Sequence, residues 1–170
     1  MMYIFEERIY MMIGGDDSIF LDTNVLIYAG VQESPFHQWT VHTIFRFEQE
    51  GKKLWISRQI IREYLAYLTR PQIIGNPVPV SMLLPQVRKF LIRFQVAEEG
   101  PGGSEKLFSI LESIKIGGKQ IHDANIIATM MTNGISRLFT FNMDDFKRFS
   151  GLITLIPLHP IPDQESETTP

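Results

Sequence analysis

Residues 19–29 read IFLDTNVLIYA. Ile19-Phe20-Leu21 runs into Asp22-Thr23-Asn24, and Val25 to Ala29 turn apolar again. A carboxylate between two segments that both favour burial is costly unless something compensates it. The short apolar run ending in Asp22 reads as a buried strand over 18–22. Asp-Thr-Asn suits the start of a helix, which the spacing places from about Thr23. Asp22 therefore either caps that helix or is held at the strand end to do chemistry. The stretch alone leaves both open.

Working outward, the same alternation repeats. A helix is predicted over 36–50 after the break at Ser34-Pro35, then a short strand at Leu54-Trp55-Ile56. Residues 58–69 form a helix with Ile60, Ile61, Tyr64, Leu65 and Leu68 on one face, stopped by Pro71. Gly75, Pro77 and Pro79 mark a loop over 72–80. Further helices are predicted over 81–92, 104–116, 121–132 and 144–149, and strands over 94–97, 138–141 and 152–156. Short apolar strands alternating with helices argue for an α/β fold with a parallel sheet covered on both faces. In such folds the working site lies beyond the carboxyl ends of the strands.

The chain has 170 residues, enough for one domain with a sizeable core. It contains no cysteine, which excludes disulfides and thiol catalysis and argues against a structural zinc site. No apolar run reaches the length of a membrane span, and Glu6 and Glu7 interrupt the N-terminal one, so a cytoplasmic protein is expected. The formal net charge is -3, but the acids concentrate at the two ends. Residues 19–159 hold 12 acidic side chains against 15 basic ones. A mildly basic body permits a polyanionic partner without demanding one. Residues 1–17 read as an N-terminal extension, 18–158 as the folded domain, and 159–170, rich in Pro, Glu and Thr, as a disordered tail.

Polar residues at strand ends come next. Glu63 falls at the edge of the apolar stripe of its helix, where a solvated charge is the ordinary explanation. Asp123 is odder: Ile126, Ile127 and Met130 follow at i+3, i+4 and i+7, so it points toward the apolar face. His122, Asn125 and Thr129 take the other side. Its place in the first turn lets the helix dipole offset part of the cost, although a capping role also explains the residue type. Thr140 and Asn142 follow the fourth strand, where turn chemistry alone would select such residues. Asp22, Glu63 and Asp123 come from separate segments yet are expected near one edge of the sheet. Such a cluster needs a cation or shared protons. Carboxylates are what Mg²⁺ or Mn²⁺ prefer, and a hard cation can activate water against a phosphodiester.

FLDTNVLIYA, SRQIIREYLAYLTRP, IHDANIIATMMTNGISRLFTFNMDDFKRF and LITLIP occur in the order seen in PIN-domain ribonucleases. The chain resembles most the VapC-type toxins of toxin–antitoxin pairs, over about residues 18–158. The resemblance implies a three-layer α/β/α fold with a five-stranded parallel sheet, and Mg²⁺- or Mn²⁺-dependent cleavage of RNA to 5'-phosphate and 3'-hydroxyl ends. It matches the family's acids to Asp22, Glu63 and Asp123, and its Thr and fourth polar position to Thr140 and Asn142. Many members carry Asp at that fourth position. Asn142 adds no charge, which bears on a second metal, and Asp145 is an imperfectly aligned substitute.

On this reading Asp22 and Asp123 hold the metal, Glu63 completes the cage or positions water, and Thr140 and Asn142 orient their neighbours. Arg58, Arg62, Arg70, Lys115 and Lys119 are candidate phosphate contacts, or simply a solvated charged face. Partners implied are RNA, a cognate antitoxin and a second copy of the chain. Trp39, Phe45 and Phe47 are either core or part of such an interface. A housekeeping RNA-processing nuclease and a non-catalytic interaction module are the alternatives. A haloacid-dehalogenase-type phosphatase needs an Asp where this chain has Asn24. His37 and His42 are five apart, off the spacing of a helical metal pair.

Overall fold

The computed structural model describes residues 17–71 and 77–158. Residues 1–16 of the expected extension, the 72–76 part of the expected loop and the tail 159–170 lie outside the described residues.

The elements run β1 (Ser18–Leu21), α1 (Thr23–Gly30), α2 (His37–Gln49), β2 (Lys53–Ser57), α3 (Arg58–Leu68), α4 (Val80–Arg93) and β3 (Gln95–Ala97). They continue as α5 (Gly103–Ser113), α6 (Gln120–Thr132), β4 (Arg137–Phe139), α7 (Met143–Phe146), a 3-10 turn (Lys147–Phe149) and β5 (Thr154–Leu155). The sheet order is β3-β2-β1-β4-β5, with every neighbouring pair parallel. All four residues of β1 are buried. Side chains alternate between faces along a strand, so both faces of β1 are covered by helices. This is the three-layer α/β/α arrangement with a five-stranded parallel sheet that the sequence implied.

Local chemistry explains the boundaries. Ser57 leaves β2 in extended conformation and its hydroxyl accepts the Ile60 N–H at 3.3 Å, so strand passes directly into α3. Gly51 takes the left-handed conformation (φ 72°) that ends α2. Two expectations are corrected here. The fourth strand stops at Phe139, because Thr140 and the Phe141 N–H turn to polar partners across the sheet edge. The expected helix over 144–149 divides into α7 and the 3-10 turn.

On the other side of α6 the three polar residues differ, with His122 exposed. Thr129 is buried and Asn125 reaches a side chain of α3. Among the aromatics of α2, Phe47 is buried in the core and Trp39 packs against it, whereas Phe45 is 54% exposed.

The strand order reverses between β1 and β4. From β1 the chain winds outward to β2 and β3, then returns to β4 and β5 on the other side. Crevices at such a reversal, outside the carboxyl ends of the strands, are where ligands bind in open α/β sheets. Asp22 follows β1 and Thr140 follows β4, one on each side of that point.

Candidate active site

Asp22 forms the floor of the crevice. Its N–H donates to Phe139 O at 3.1 Å, which carries the sheet ladder one residue past β1. Its Oδ1 accepts the Thr23 N–H at 2.7 Å, so it does cap α1. Capping occupies only one oxygen. Oδ2 accepts Asn24 Nδ2 at 2.8 Å and Thr140 Oγ1 at 2.6 Å. Thr140 Oγ1 is itself fixed by the Asn142 N–H at 2.9 Å, and Asn24 Oδ1 by the Phe141 N–H at 3.1 Å. Every donor to Asp22 is neutral. The carboxyl is buried, and burial pushes its pKa up to about 6 from 3.8. Thr140 and the Thr23 N–H oppose that rise, while the charges of Glu63 and Asp123 add to it.

Glu63 and Asp123 form the rim. Glu63 Oε2 accepts Thr23 Oγ1 at 2.6 Å and Oε1 accepts Gln59 Nε2 at 2.7 Å. Thr23 thus serves both acids, with its backbone on Asp22 and its hydroxyl on Glu63. Asp123, in the first turn of α6, is half-buried. Burial pushes its pKa up to about 6, with the charges of Asp145 and Glu63 acting the same way and Arg148 and His122 opposing. None of Asp22, Glu63 or Asp123 forms a salt bridge among the described residues.

A cleft of ≈ 700 Å³ opens beside the rim, walled by Glu63, Asp123, Arg62, Arg70 and Lys119 among others. Asp22 is buried and is not among its lining residues. The five candidate cations separate into groups. Arg58 is taken by Glu98 through two hydrogen bonds of 2.8 and 2.6 Å, and Arg62 lies 3.7 Å from Glu99. Arg70 and Lys119 form no ion pair among the described residues, and Lys115 does not reach the cleft.

The structure therefore brings Asp22, Glu63, Asp123 and Thr140 to one edge. Asn142 is there through its backbone, and its exposed side chain caps nothing. Asp145, not Asn142, is the additional acid felt by Asp123. The sequence reading missed Gln59, Asn24 and Thr23 as partners of the acids. Gln59 stands at i−4 from Glu63, the spacing at which helical side chains meet, and that was the available signal.

Among the described residues no three acidic or histidine side chains are drawn together tightly enough to form a ready metal cage. Charge and donor type nevertheless fit a hard cation. Three acids at one edge, two of them raised in part by neighbouring carboxylates, with hydroxyl and amide groups around them and no cysteine, suit Mg²⁺ or Mn²⁺.

The chain is similar to ribonuclease VapC48 of Mycobacterium tuberculosis, at 25% identity over 77% of this chain and 91% of that protein. Its fold is similar to that of VapBC2 from Rickettsia felis, solved bound to a promoter DNA fragment. That match has TM-score 0.60 and 18% identity, over 84% of this chain and 99% of the other. It is similar also to Mycobacterium tuberculosis VapC20, a sarcin-ricin loop cleaving toxin, with TM-score 0.58 and 16% identity over 82% and 99%. Residues 19–152 match the family model of the PIN domain, from the first strand to just before the last, and the chain belongs to that family.

Proposed function

We propose that this chain is a metal-dependent endoribonuclease, cytoplasmic, hydrolysing RNA phosphodiester bonds as the toxin of a toxin–antitoxin pair. The catalytic unit is residues 18–158. The observation that carries the reading is the gathering of acids at the sheet reversal. The carboxyls of Asp22 and Asp123 are both raised, by burial first and by neighbouring carboxylates second, and among the described residues Asp22, Glu63 and Asp123 form no salt bridge. Evolved folds rarely leave such repulsion without a use. The similarity to proteins described as ribonucleases and toxins supports the direction of the inference.

Asp22 and Asp123 would hold Mg²⁺ or Mn²⁺, with Glu63 completing the set. A bound divalent cation supplies an activated water and neutralises charge developing on the phosphate. The chain does the rest. Thr140 and Asn24 aim Oδ2 of Asp22, and the Thr140 bond offsets part of the cost that burial imposes on its ionised form. Thr23 and Gln59 each donate one hydrogen bond to a different Glu63 oxygen, leaving its other lone pairs free to complete the set or to orient the attacking water. The Asn142 N–H fixes the Thr140 hydroxyl. Arg70 and Lys119 border the same cleft and would hold flanking phosphates of the RNA.

An antitoxin is the inferred protein partner, since structures of similar fold include toxin–antitoxin complexes such as one from Klebsiella pneumoniae. A homodimer is also inferred, and the exposed Phe45 belongs to the surface available for either contact.

The test is cleavage of a labelled RNA with Mg²⁺, with and without EDTA, beside Asp22→Asn and Asp123→Asn. EDTA should abolish cleavage, and each variant should lose on the order of a hundredfold or more in kcat. Equal cleavage by all three proteins overturns the assignment.

A further inference from the structure

Gln59 is 6% exposed, on a helix whose other buried residues are Ile60, Tyr64 and Leu68. A buried amide must find a partner for each polar atom. The partners of Gln59 are not scattered. Nε2 donates to Glu63 Oε1 at 2.7 Å and to the His122 carbonyl at 3.0 Å. Oε1 accepts Asn125 Nδ2 at 2.7 Å. The orientation of the amide is unambiguous, because the His122 carbonyl can only accept and so requires the nitrogen to face it.

One side chain therefore touches the carboxylate of Glu63 and the backbone immediately before Asp123. We propose that Gln59 is a positioning residue, locked by Asn125, that sets where Glu63 stands relative to Asp123 and thereby the divalent-cation affinity of the site. This rests on the nuclease reading above. The physical reason is repulsion. Two carboxylates facing a shared cleft drive each other apart, and a flexible Glu on a helix can swing toward water. A neutral donor anchored to α6 holds Glu63 in place without cancelling its charge. A salt bridge from Arg or Lys would hold it too, but would compete with the cation.

A purely structural amide would make the His122 and Asn125 bonds and leave Glu63 to itself. The experiment separates the two roles by measuring Mn²⁺ binding to the metal-stripped protein, by calorimetry or the free-Mn²⁺ electron paramagnetic signal. Proteins compared are wild type, Gln59→Met, Glu63→Gln and the double variant, each checked for folding by thermal melting. Removing a residue that orients a metal ligand typically weakens affinity about 10- to 100-fold. Gln59→Met is expected to do so, and to add nothing further in the Glu63→Gln background, since it acts through that carboxylate.

Two results overturn the proposal. One is Mn²⁺ affinity unchanged in Gln59→Met, with only the melting temperature lowered. The other is the same fold-loss with and without the Glu63 carboxylate. If Gln59→Met does not fold, Asn125→Ala is scored by the same cycle. It leaves both Nε2 bonds in place and removes only the anchor on Oε1, so the loss should be smaller and again vanish with Glu63→Gln. Failure of the nuclease reading looks different. Asp22→Asn and Asp123→Asn would then bind Mn²⁺ as wild type does, and Gln59 would have nothing to position.

Discussion

Asp22 and Asp123 lie at the same sheet-edge crevice, and both carboxyls are raised to about 6, yet they reach that state by different routes. Asp22 is buried and grasped by Thr23, Asn24 and Thr140. Asp123 is half-buried, and after burial its influences are charges: Asp145 and Glu63 on one side, Arg148 and His122 on the other. Asp22 is fixed by hydrogen bonds and Asp123 by a balance of charge, while Glu63 on the rim shares the first kind of hold through Thr23 and Gln59.

The sharpest way to break this contrast is a pair of isosteric substitutions. Asp22→Asn and Asp123→Asn should each cost on the order of a hundredfold or more in cleavage. Their stabilities should part. At position 22 an amide nitrogen in place of Oδ2 meets the Asn24 Nδ2 donor, and equilibrium urea unfolding in EDTA should show a loss of about 1–3 kcal/mol. At position 123 the amide removes a like charge beside Glu63 and Asp145, so stability should hold or rise. Equal losses at both positions would mean that Asp22 and Asp123 are held in the same way.

The pH dependence of the metal-free protein is the next largest effect. The native carboxyl of Asp22 binds its proton more tightly than the unfolded one, whose value is near 3.8. Its contribution to stability is therefore fully present below that value and is lost as pH rises through about 6. Converted directly, the rise from 3.8 to about 6 is on the order of 3 kcal/mol. Exposed acids such as Glu98 and Asp144 have lowered values and act in the opposite direction, but weakly at the surface. The measurement is thus the difference between wild type and Asp22→Asn in EDTA, which should narrow the wild-type advantage steadily from pH 4 to pH 7. Saturating Mg²⁺ should reverse the wild-type trend, because binding requires the ionised form. A wild-type minus Asp22→Asn difference that is flat with pH would remove burial as the cause.

Thr140 and Asn142 sharpen the same point at smaller scale. Thr140→Val removes the hydroxyl that donates to Asp22 and accepts from the Asn142 N–H, and should destabilise by about 1–3 kcal/mol. Asn142→Ala keeps that N–H and loses only an exposed side chain. Its unfolding free energy should stay within about 0.5 kcal/mol of wild type, because that side chain makes no capping bond to the helix starting at Met143.

How much of this was legible in the sequence follows from where each constraint acts. The central strands were readable because each is a short, largely apolar run that the fold buries, as Ile19-Phe20-Leu21 is, whereas the edge strands β3 and β5 are only partly buried. Asp22 was readable from its place at the end of β1, whereas Glu63 within α3 and Asp123 in the first turn of α6 were joined to it as a set by the resemblance to the family's motifs. The dual use of Asp22 was not, since a cap and a ligand select the same residue type, and only the Asn24 and Thr140 bonds separate them. Gln59 and Asn125 were hidden for another reason. They are 66 positions apart, and the Gln–Asn pairing depends on how α3 and α6 pack, which periodicity within either helix does not encode. Asn142 went the other way: the motif drew attention to its side chain, while the fold uses its backbone.

The smallest effect concerns the RNA groove rather than the acids. Arg70 borders the cleft without an ion pair among the described residues, whereas Arg58 is committed to Glu98. Arg70→Gln should raise KM severalfold and reduce the slope of log KM against log salt by about 0.7, the share of one single-strand phosphate contact. The control is the joint replacement Arg58→Gln with Glu98→Gln, which removes a cation and its partner together and so leaves the net charge as it was. It should change neither quantity. If instead the paired replacement raises KM and Arg70→Gln does not, the RNA passes on the β3 side of the rim. Arg58 would then exchange Glu98 for phosphate on binding, and the floor and rim of the site would be approached from the opposite direction.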